Sequence, residues 1–405
     1  MLLTFHNVLV SISCFFGLYV AVFYLLVFFE NKENMKSPRP RKFPKISVII
    51  PAYNEEKLIA KTIKAVLDAN YPEKEIIVVD DGSTDNTFKI AKRFEKYGVK
   101  VFRKKNGGKA SALNFGIEKC SSEFIMALDA DSFPAKDCFK KMIGHFKDPR
   151  VMAVVPTLKV WKPKTIVERL QSLEYVIASF LKKILALMHS LSMVPGAPMI
   201  RKSFFEKHGG YDENNLTEDF EMGLRIQANN YDISHALDAY VYTVVPSTFK
   251  SLMRQRVRWD YGTLWNLRKY RSLMGWNHGD LGFFLLPAMA ISLGLTSFLV
   301  LYLLSMTVWN TIHSLLMLSL INFDIKYMLF DIQLTRIIDH FLDEKFFLTF
   351  ASFLSGLIIY LIAKRELGEK LKLEYLPYVF VYGLILGFFR IIATVHFCLG
   401  KKPKW

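Results

Sequence analysis

Cysteine is scarce in this chain: Cys14, Cys120, Cys138 and Cys398 are the only four in 405 residues, and no two of them share a short spacing. That excludes a disulfide framework and the paired-cysteine pattern of a structural zinc site. Acidic residues are also few, 37 against 53 Lys and Arg, for a net charge of +16. The basic residues are dispersed along the chain instead of gathered into a groove-sized patch, so no nucleic-acid partner is expected. Internal repeats and low-complexity tracts are absent, which excludes a solenoid. Charge is missing altogether from His6 to Phe29, a run long enough to span a bilayer. The run lacks the basic start and small-residue cleavage site of a removable signal, so residues 1–30 are expected to remain as an anchor.

Further apolar runs occupy Leu281 to Phe323, Phe346 to Ala363 and Pro377 to Leu399, and they raise the apolar fraction to 52%. The one dense basic cluster, Lys32, Lys36, Arg39, Arg41, Lys42 and Lys45, follows the first run directly. Lys and Arg collect on cytosolic flanks, where anionic lipid attracts them. The expected arrangement is a multi-pass protein of the cell membrane, with the N-terminus outside and Asn31 to about Asp280 in the cytosol. Leu281 to Phe323 fits one long span or two short ones. Asp324 to Lys345 carries five acids against three bases, which favours the outside, and Lys364 to Lys372 carries four bases, which favours the cytosol. Together these give about three spans over residues 281–400 and about four in all, at the cost of a basic tail, Lys401 to Lys404, on the outside.

Residues 44–245 have ordinary globular composition. Ile46–Ile50, Ile76–Val79, Val99–Phe102 and Phe124–Leu128 are β-branched or apolar runs alternating with helical patterns. That alternation predicts an α/β domain with a mainly parallel sheet. Ligands of such sheets bind beyond the carboxyl ends of the strands. Those positions read Pro51-Ala-Tyr-Asn-Glu-Glu56, Asp80-Asp-Gly-Ser-Thr-Asp85 and Asp129-Ala-Asp131, so polar and acidic residues converge on one edge. Carboxylates two residues apart after a buried strand suit a hard cation such as Mg²⁺ or Mn²⁺, which also takes phosphate oxygens. Asp80 and Asp81 could hold ribose hydroxyls or a base edge, and Asp85 and Asn86 fit helix caps. Asn106-Gly-Gly-Lys109 opens a helix, aiming backbone N–H groups and an ammonium at a position suited to an anion.

Two motifs lie further on. Thr217-Glu218-Asp219 opens an amphipathic helix; its acids either complement the helix dipole or include a base for a hydroxyl nucleophile. Gln255-Arg-Val-Arg-Trp259 falls in the interfacial stretch 246–280, where Gln255, Arg258 and Trp259 share one helical face. That face suits phosphate oxygens and a sugar ring, and equally a membrane interface with a snorkelling arginine. Arg390 sits inside the last apolar run, where a charge is costly. It could line a translocation path, pack between helices or meet a lipid headgroup.

In this order, from Ile46 to Gly262, the motifs resemble the family 2 glycosyltransferases of GT-A fold, in their membrane-integrated β-polysaccharide synthase branch. The layout is most similar to the bacterial poly-N-acetylglucosamine synthases, with chitin, hyaluronan and cellulose synthases in the same branch. The resemblance implies a Rossmann-like cytosolic GT-A domain flanked by transmembrane helices, and an inverting transfer from a UDP-sugar. Ala52, Tyr53 and Glu55 then match the uracil-contacting motif. Asp81, with Asp80 beside it, and Lys109 match further donor-binding positions. Asp129 and Asp131 match the D-x-D pair, the second typically on the metal, Mg²⁺ or Mn²⁺. Asp219 matches the catalytic base, with Glu218 near the acceptor. Gln255 and Arg258 match positions near the diphosphate, and Trp259 one that lines the acceptor's terminal sugar. Val194-Pro-Gly-Ala-Pro198 is a looser match to an acceptor loop. The implied partners are a UDP-sugar, UDP-N-acetylglucosamine or UDP-glucose, a glycan or lipid acceptor and membrane lipids; oligomeric state is left open. The alternatives are a single-transfer glycolipid or polyprenyl-phosphate enzyme, and a non-enzymatic membrane subunit with a degenerate domain.

Overall fold

The computed structural model describes residues 5–320, 344–370 and 373–403. Helix α1 (Phe5–Glu30) leads through an extended strap to strand β1 (Ile46–Ala52). The strap is fastened to the domain where the Ser37 backbone N–H donates to Asp238 at 3.2 Å. Every residue of β1 is buried, as a strand covered on both faces requires. It pairs in parallel with β2 (Lys74–Asp80) on one side and β4 (Phe124–Ala127) on the other, and β3 (Lys100–Arg103) extends β2 in parallel. The expected parallel half is therefore present, and the carboxyl ends of β1, β2 and β4 open on one edge.

Beyond β4 the sheet becomes mixed. Strands β5 (Ser132–Pro134), β6 (Val151–Val160), β7 (Met199–Arg201) and β8 (Asp232–Thr243) complete the order β3-β2-β1-β4-β7-β6-β8-β5. β7 runs antiparallel to both β4 and β6, and β5 antiparallel to β8. Helices cover both faces, and alternate residues of β1 divide between them as a period of two demands. Val48 and Ile50 pack with α2 (Ile59–Leu67) and α5 (Cys138–Ile143), while Ile49 packs with α4 (Lys109–Lys119) and α8 (Glu218–Ala228).

Helices α6 (Ile166–Leu187) and α9 (Phe249–Lys269) each begin with a reciprocal side-chain cap, Thr165 with Glu168 and Thr248 with Ser251. The Gln255–Trp259 motif thus lies in the second turn and beyond of a well-started helix. After a one-turn widening at Leu281–Leu285, α10 (Leu286–Leu320) continues without a break, so the long apolar run is one helix as far as Leu320, the last described residue there. Helices α11 (Glu344–Glu366) and α12 (Gly383–Cys398) follow. Among the described residues four helices, Val8–Glu30, Leu281–Leu320, Phe347–Glu366 and Tyr375–Cys398, are long and apolar enough to cross a membrane. All but the last two residues of the acid-rich segment Asp324 to Lys345, and Lys404 of the basic tail, lie outside the described residues.

Candidate functional site

The first two motif loops are knitted together. Asn54 adopts a left-handed φ of 55°, which lets its N–H donate to Ser83 Oγ at 3.0 Å while its Oδ1 accepts from the Thr84 N–H at 2.9 Å. The Glu55 N–H donates to Thr87 Oγ1 at 2.7 Å. Asp85, one residue ahead of the N-cap position of helix α3 (Thr87–Lys92), accepts from the Thr87 N–H at 2.9 Å. Asn86, the other candidate cap, instead donates to Glu56 from its backbone and its side chain, each at 3.1 Å. Ala52, Tyr53 and Glu55 are presented to one cleft by this clamp.

Asp80 and Asp81 part company at the end of β2. Asp81 lines the cleft, whereas Asp80 is fully buried behind it with Oδ2 facing Arg103 Nε at 3.1 Å. The Gly107 and Gly108 N–H groups, expected to await a ligand anion, donate to the Asp81 carboxylate at 3.0 and 2.7 Å. Lys104 Nζ joins them at 2.8 Å. The anion at this loop is thus the chain's own, and Asp81 acts as the post that holds the 104–108 loop in place. Gly82 is needed here: its φ is +75°, and a Cβ there would lie 2.9 Å from the Asn106 nitrogen.

Lys109, the first residue of α4, sits at the centre of the charge pattern. Its Nζ lies 2.7 Å from Asp129 Oδ1 and 3.0 Å from Glu218 Oε1, joining the β4 edge to the start of α8. Those carboxylates hold the Lys109 ammonium well above its usual range, so it stays charged. Asp131 lies two residues past Asp129, with Oδ1 accepting from Ser132 Oγ at 3.1 Å. Burial and then the Asp129 charge push Asp131 up to about 6. Burial, Asp131, Asp85 and Asp129 push Glu55 up to about 7. These carboxylates repel one another, so a divalent cation placed among them would be welcome. No cluster of three metal-ligating side chains occurs among the described residues. Asp129 and Asp131 would therefore offer an oxygen-donor pair and leave other positions to phosphate oxygens and water, a set that fits Mg²⁺ or Mn²⁺.

Glu218 and Asp219 are adjacent but unlike. Glu218 is held down by the Lys109 ammonium, while burial and the Glu218 charge push Asp219 up to about 6. Asp219 Oδ1 accepts from the Phe220 N–H at 2.8 Å, and the Asp219 carbonyl accepts from the Val194 N–H at 3.2 Å. The Val194–Pro198 segment so bridges the T-E-D motif to β4, where the Ala127 N–H donates to the Pro198 carbonyl at 3.0 Å. Lys182 of α6 carried no sequence signal, yet burial brings its ammonium down to about 8 against the opposing pull of Asp219.

Helix α9 closes the site. Arg258 lines the cleft, and Gln255 and Trp259, like Asp219 next to the lining residue Glu218, lie outside its lining. Gln255 Oε1 is buried with no hydrogen-bond partner. Arg256, a motif residue passed over in the sequence, is buried at 2.7 Å from Glu174 of α6 and stacks 4.3 Å over the Trp259 ring. Gly262 brings α9 against the T-E-D motif: a Cβ there would lie 2.3 Å from Thr217 Oγ1. Asn266 Nδ2 then donates to the same Thr217 oxygen at 3.0 Å. The cleft spans about 770 Å³ and is lined by the Pro51–Glu55 loop, Asp81, Asn106–Ala110, Asp129, Asp131, Glu218 and Arg258, with Lys402 from the C-terminal tail. Lys402 was also unforeseen, because its chain position is remote from every motif.

Residues 47–209 match the model of glycosyl transferase family 2. A poly-beta-1,6-N-acetyl-D-glucosamine synthase of Staphylococcus epidermidis is 32% identical over 266 residues, covering 63% of this chain and 65% of that protein. The Staphylococcus aureus (strain COL) protein of the same description is 32% identical over 222 residues, 54% of each. The chain therefore matches between half and two thirds of these relatives' lengths. Among solved structures, a mannosyltransferase from Pyrobaculum calidifontis in complex with GDP-Man and Mn²⁺ superposes with a TM-score of 0.61 at 18% identity. That match covers 97% of this chain and 99% of the other, and shows a shared fold. Sheet order, motif placement and family model agree: residues 47–209 are a family 2 glycosyltransferase domain of GT-A fold.

Proposed function

We propose that the chain is an inverting glycosyltransferase that moves a sugar, N-acetylglucosamine foremost, from a UDP donor onto a growing β-linked glycan at the cytosolic face of the membrane. The observation that carries this reading is one cleft in which Asp129, Asp131, Lys109, Glu218 and Arg258 meet. Donor acids, a fixed cation and an acceptor-side acid are the parts a single displacement requires. The similarity to poly-N-acetylglucosamine synthases supports the choice of donor. The basic strap after α1 supports the cytosolic side.

In this mechanism the uracil lies against Tyr53 and the Asp81-held loop. Asp129 and Asp131 would hold Mg²⁺ or Mn²⁺, which when bound neutralises charge on the diphosphate. Lys109 and Arg258 add fixed positive charge on the same side of the cleft. Lys109 also fixes Glu218, whose lone pairs it occupies, beside the acceptor. Asp219, with its raised proton affinity, takes the proton from the attacking hydroxyl, because a base works best with a pKa near the working pH. The attack displaces UDP with inversion, so an α-linked donor yields a β-linked product.

Labelled UDP-glucose, UDP-N-acetylglucosamine and UDP-glucuronate, offered to the purified chain with Mn²⁺ or Mg²⁺, test the reading. A ladder from UDP-N-acetylglucosamine is expected. A single lipid-extractable product would replace polymerisation with one transfer to a lipid, and no product from any donor would reject the enzyme.

A further inference from the structure

The last apolar helical segment, Tyr375–Cys398, has the composition of a membrane span. At 1.5 Å per residue its 24 residues extend about 36 Å, more than the roughly 30 Å of bilayer hydrocarbon. A helix of that length crossing the bilayer would put its two ends on opposite sides. Here both ends touch the catalytic domain. Ahead of it, Lys159 Nζ of β6 lies 2.9 Å from Glu369 and donates to the Leu367 carbonyl at 3.2 Å. Arg169 of α6 lies 3.5 Å from Glu374. Behind it, Lys402 lines the cleft that holds Asp81 and Asp129. One folded domain of water-soluble composition cannot border both faces of a membrane.

The middle of the segment agrees with its ends. Tyr382 Oη donates to Glu174 at 2.9 Å, Arg390 Nε lies 3.7 Å from Asp260 Oδ1, and the Phe397 and Tyr261 rings are 5.8 Å apart. Two of these partners are on α9, and Glu174 is tied to α9 through Arg256. Helix α9 also carries Lys250, Arg254, Arg258, Arg268 and Lys269, too many charges to sit in hydrocarbon. The helix α12 thus packs on a helix that stays at the membrane surface. On its other side Val381, Leu384, Phe388, Val395 and Leu399 are exposed, spaced as a single helical stripe. Gly387 packs on Val300 of α10, and the twenty residues of α10 beyond that point, nearly all exposed, are enough to cross the bilayer alone.

We propose that α12 does not cross the membrane but lies flat in its interface, resting the Val381–Leu399 stripe on the lipid layer with both ends on the catalytic side. Three of the described helices then span, and the Lys401–Lys402 tail lies beside the donor cleft instead of outside, in keeping with the tendency of basic flanks to stay cytosolic. The charge of Arg390 also finds its reason. It sits at headgroup depth, paired with Asp260 at the wall of a cavity of about 310 Å³ between α1, α9 and α10.

This rests on the reading that the apolar helices enter a membrane, and the test separates the two. Cys14 and Cys398 are replaced by Ser, Cys120 and Cys138 being buried. Lys401→Cys, Lys370→Cys and the domain reference Lys96→Cys are then labelled with an impermeant maleimide in right-side-out and inverted vesicles. All three are expected to react in the same orientation only. Reaction of Lys401→Cys in the opposite orientation to Lys96→Cys would overturn the proposal. Reaction of all three in both orientations would overturn it together with the membrane reading beneath it. Nitroxides at Leu384→Cys and Val395→Cys give an independent measure. Equal depths are expected, whereas a crossing helix would separate them by about 16 Å.

Discussion

Replacing Asp131 with Asn should stabilise the metal-free protein, because ionised Asp131 is largely buried and faces the Asp129 charge. Its rise from 3.8 to about 6 corresponds to roughly 3 kcal/mol, and solvent screening at a partly exposed group leaves about 1–2 kcal/mol. The sign follows from proton binding: between pH 3.8 and about 6 the folded state holds the proton more tightly than the unfolded one. Stability from this group is therefore full below the lower value and is lost as pH rises through the upper. Asp131→Asn should melt about 3–6 °C above the parent at pH 7.5 in chelator, and the difference should close near pH 4. Adding Mn²⁺ and UDP should raise the parent by a few kcal/mol at saturating concentration and leave the variant where it was. Thermal unfolding of the detergent-solubilised chain measures both. A variant no more stable than the parent at pH 7.5, or a gain that persists at pH 4, would refute the claim that burial and the Asp129 charge disfavour ionised Asp131.

Asp219→Asn should lower turnover about 10²- to 10⁴-fold while UDP affinity, read by calorimetry, stays within about twofold of the parent. In the parent, transfer should rise with pH through a midpoint near 6 as Asp219 loses its proton; a profile flat from pH 5 to 8 would remove Asp219 as base. Gly262→Ala puts a methyl 2.3 Å from Thr217 Oγ1, so α9 must move off the T-E-D motif; a cost of about 1–3 kcal/mol in unfolding and a loss of kcat are expected together. Arg256→Met removes the partner of Glu174 and the cation over Trp259; unfolding should fall by about 3 kcal/mol or more, and acceptor KM should rise more than donor KM.

The parallel half of the sheet was legible because β1, β2 and β4 are buried on both faces and so read as unbroken apolar runs. Strand β7 was not, since three residues paired antiparallel leave no periodic pattern. In the site, D-x-D and T-E-D could be located from strand ends and a helix start. What they touch could not: that Lys109 joins Asp129 to Glu218, or that Asp81 fills the amide nest of Gly107 and Gly108, depends on loop closure across 20 to 109 residues of chain. Asp80 and Asp81 look equivalent in sequence, and only the pleat at the end of β2 sends one into the cleft and the other to Arg103. The last apolar run is the sharpest case. Its composition is that of a span, and the contacts of its flanks, which no hydropathy pattern encodes, argue otherwise.

The most direct test is a transfer assay on the purified 405-residue chain with labelled UDP-N-acetylglucosamine, Mn²⁺ and a short N-acetylglucosamine oligomer, beside Asp219→Asn. The expected result is metal-dependent extension through β-linkages, abolished by chelator and by the substitution. Extension that continues unchanged in Asp219→Asn or in chelator, or an α-linked product, would contradict it.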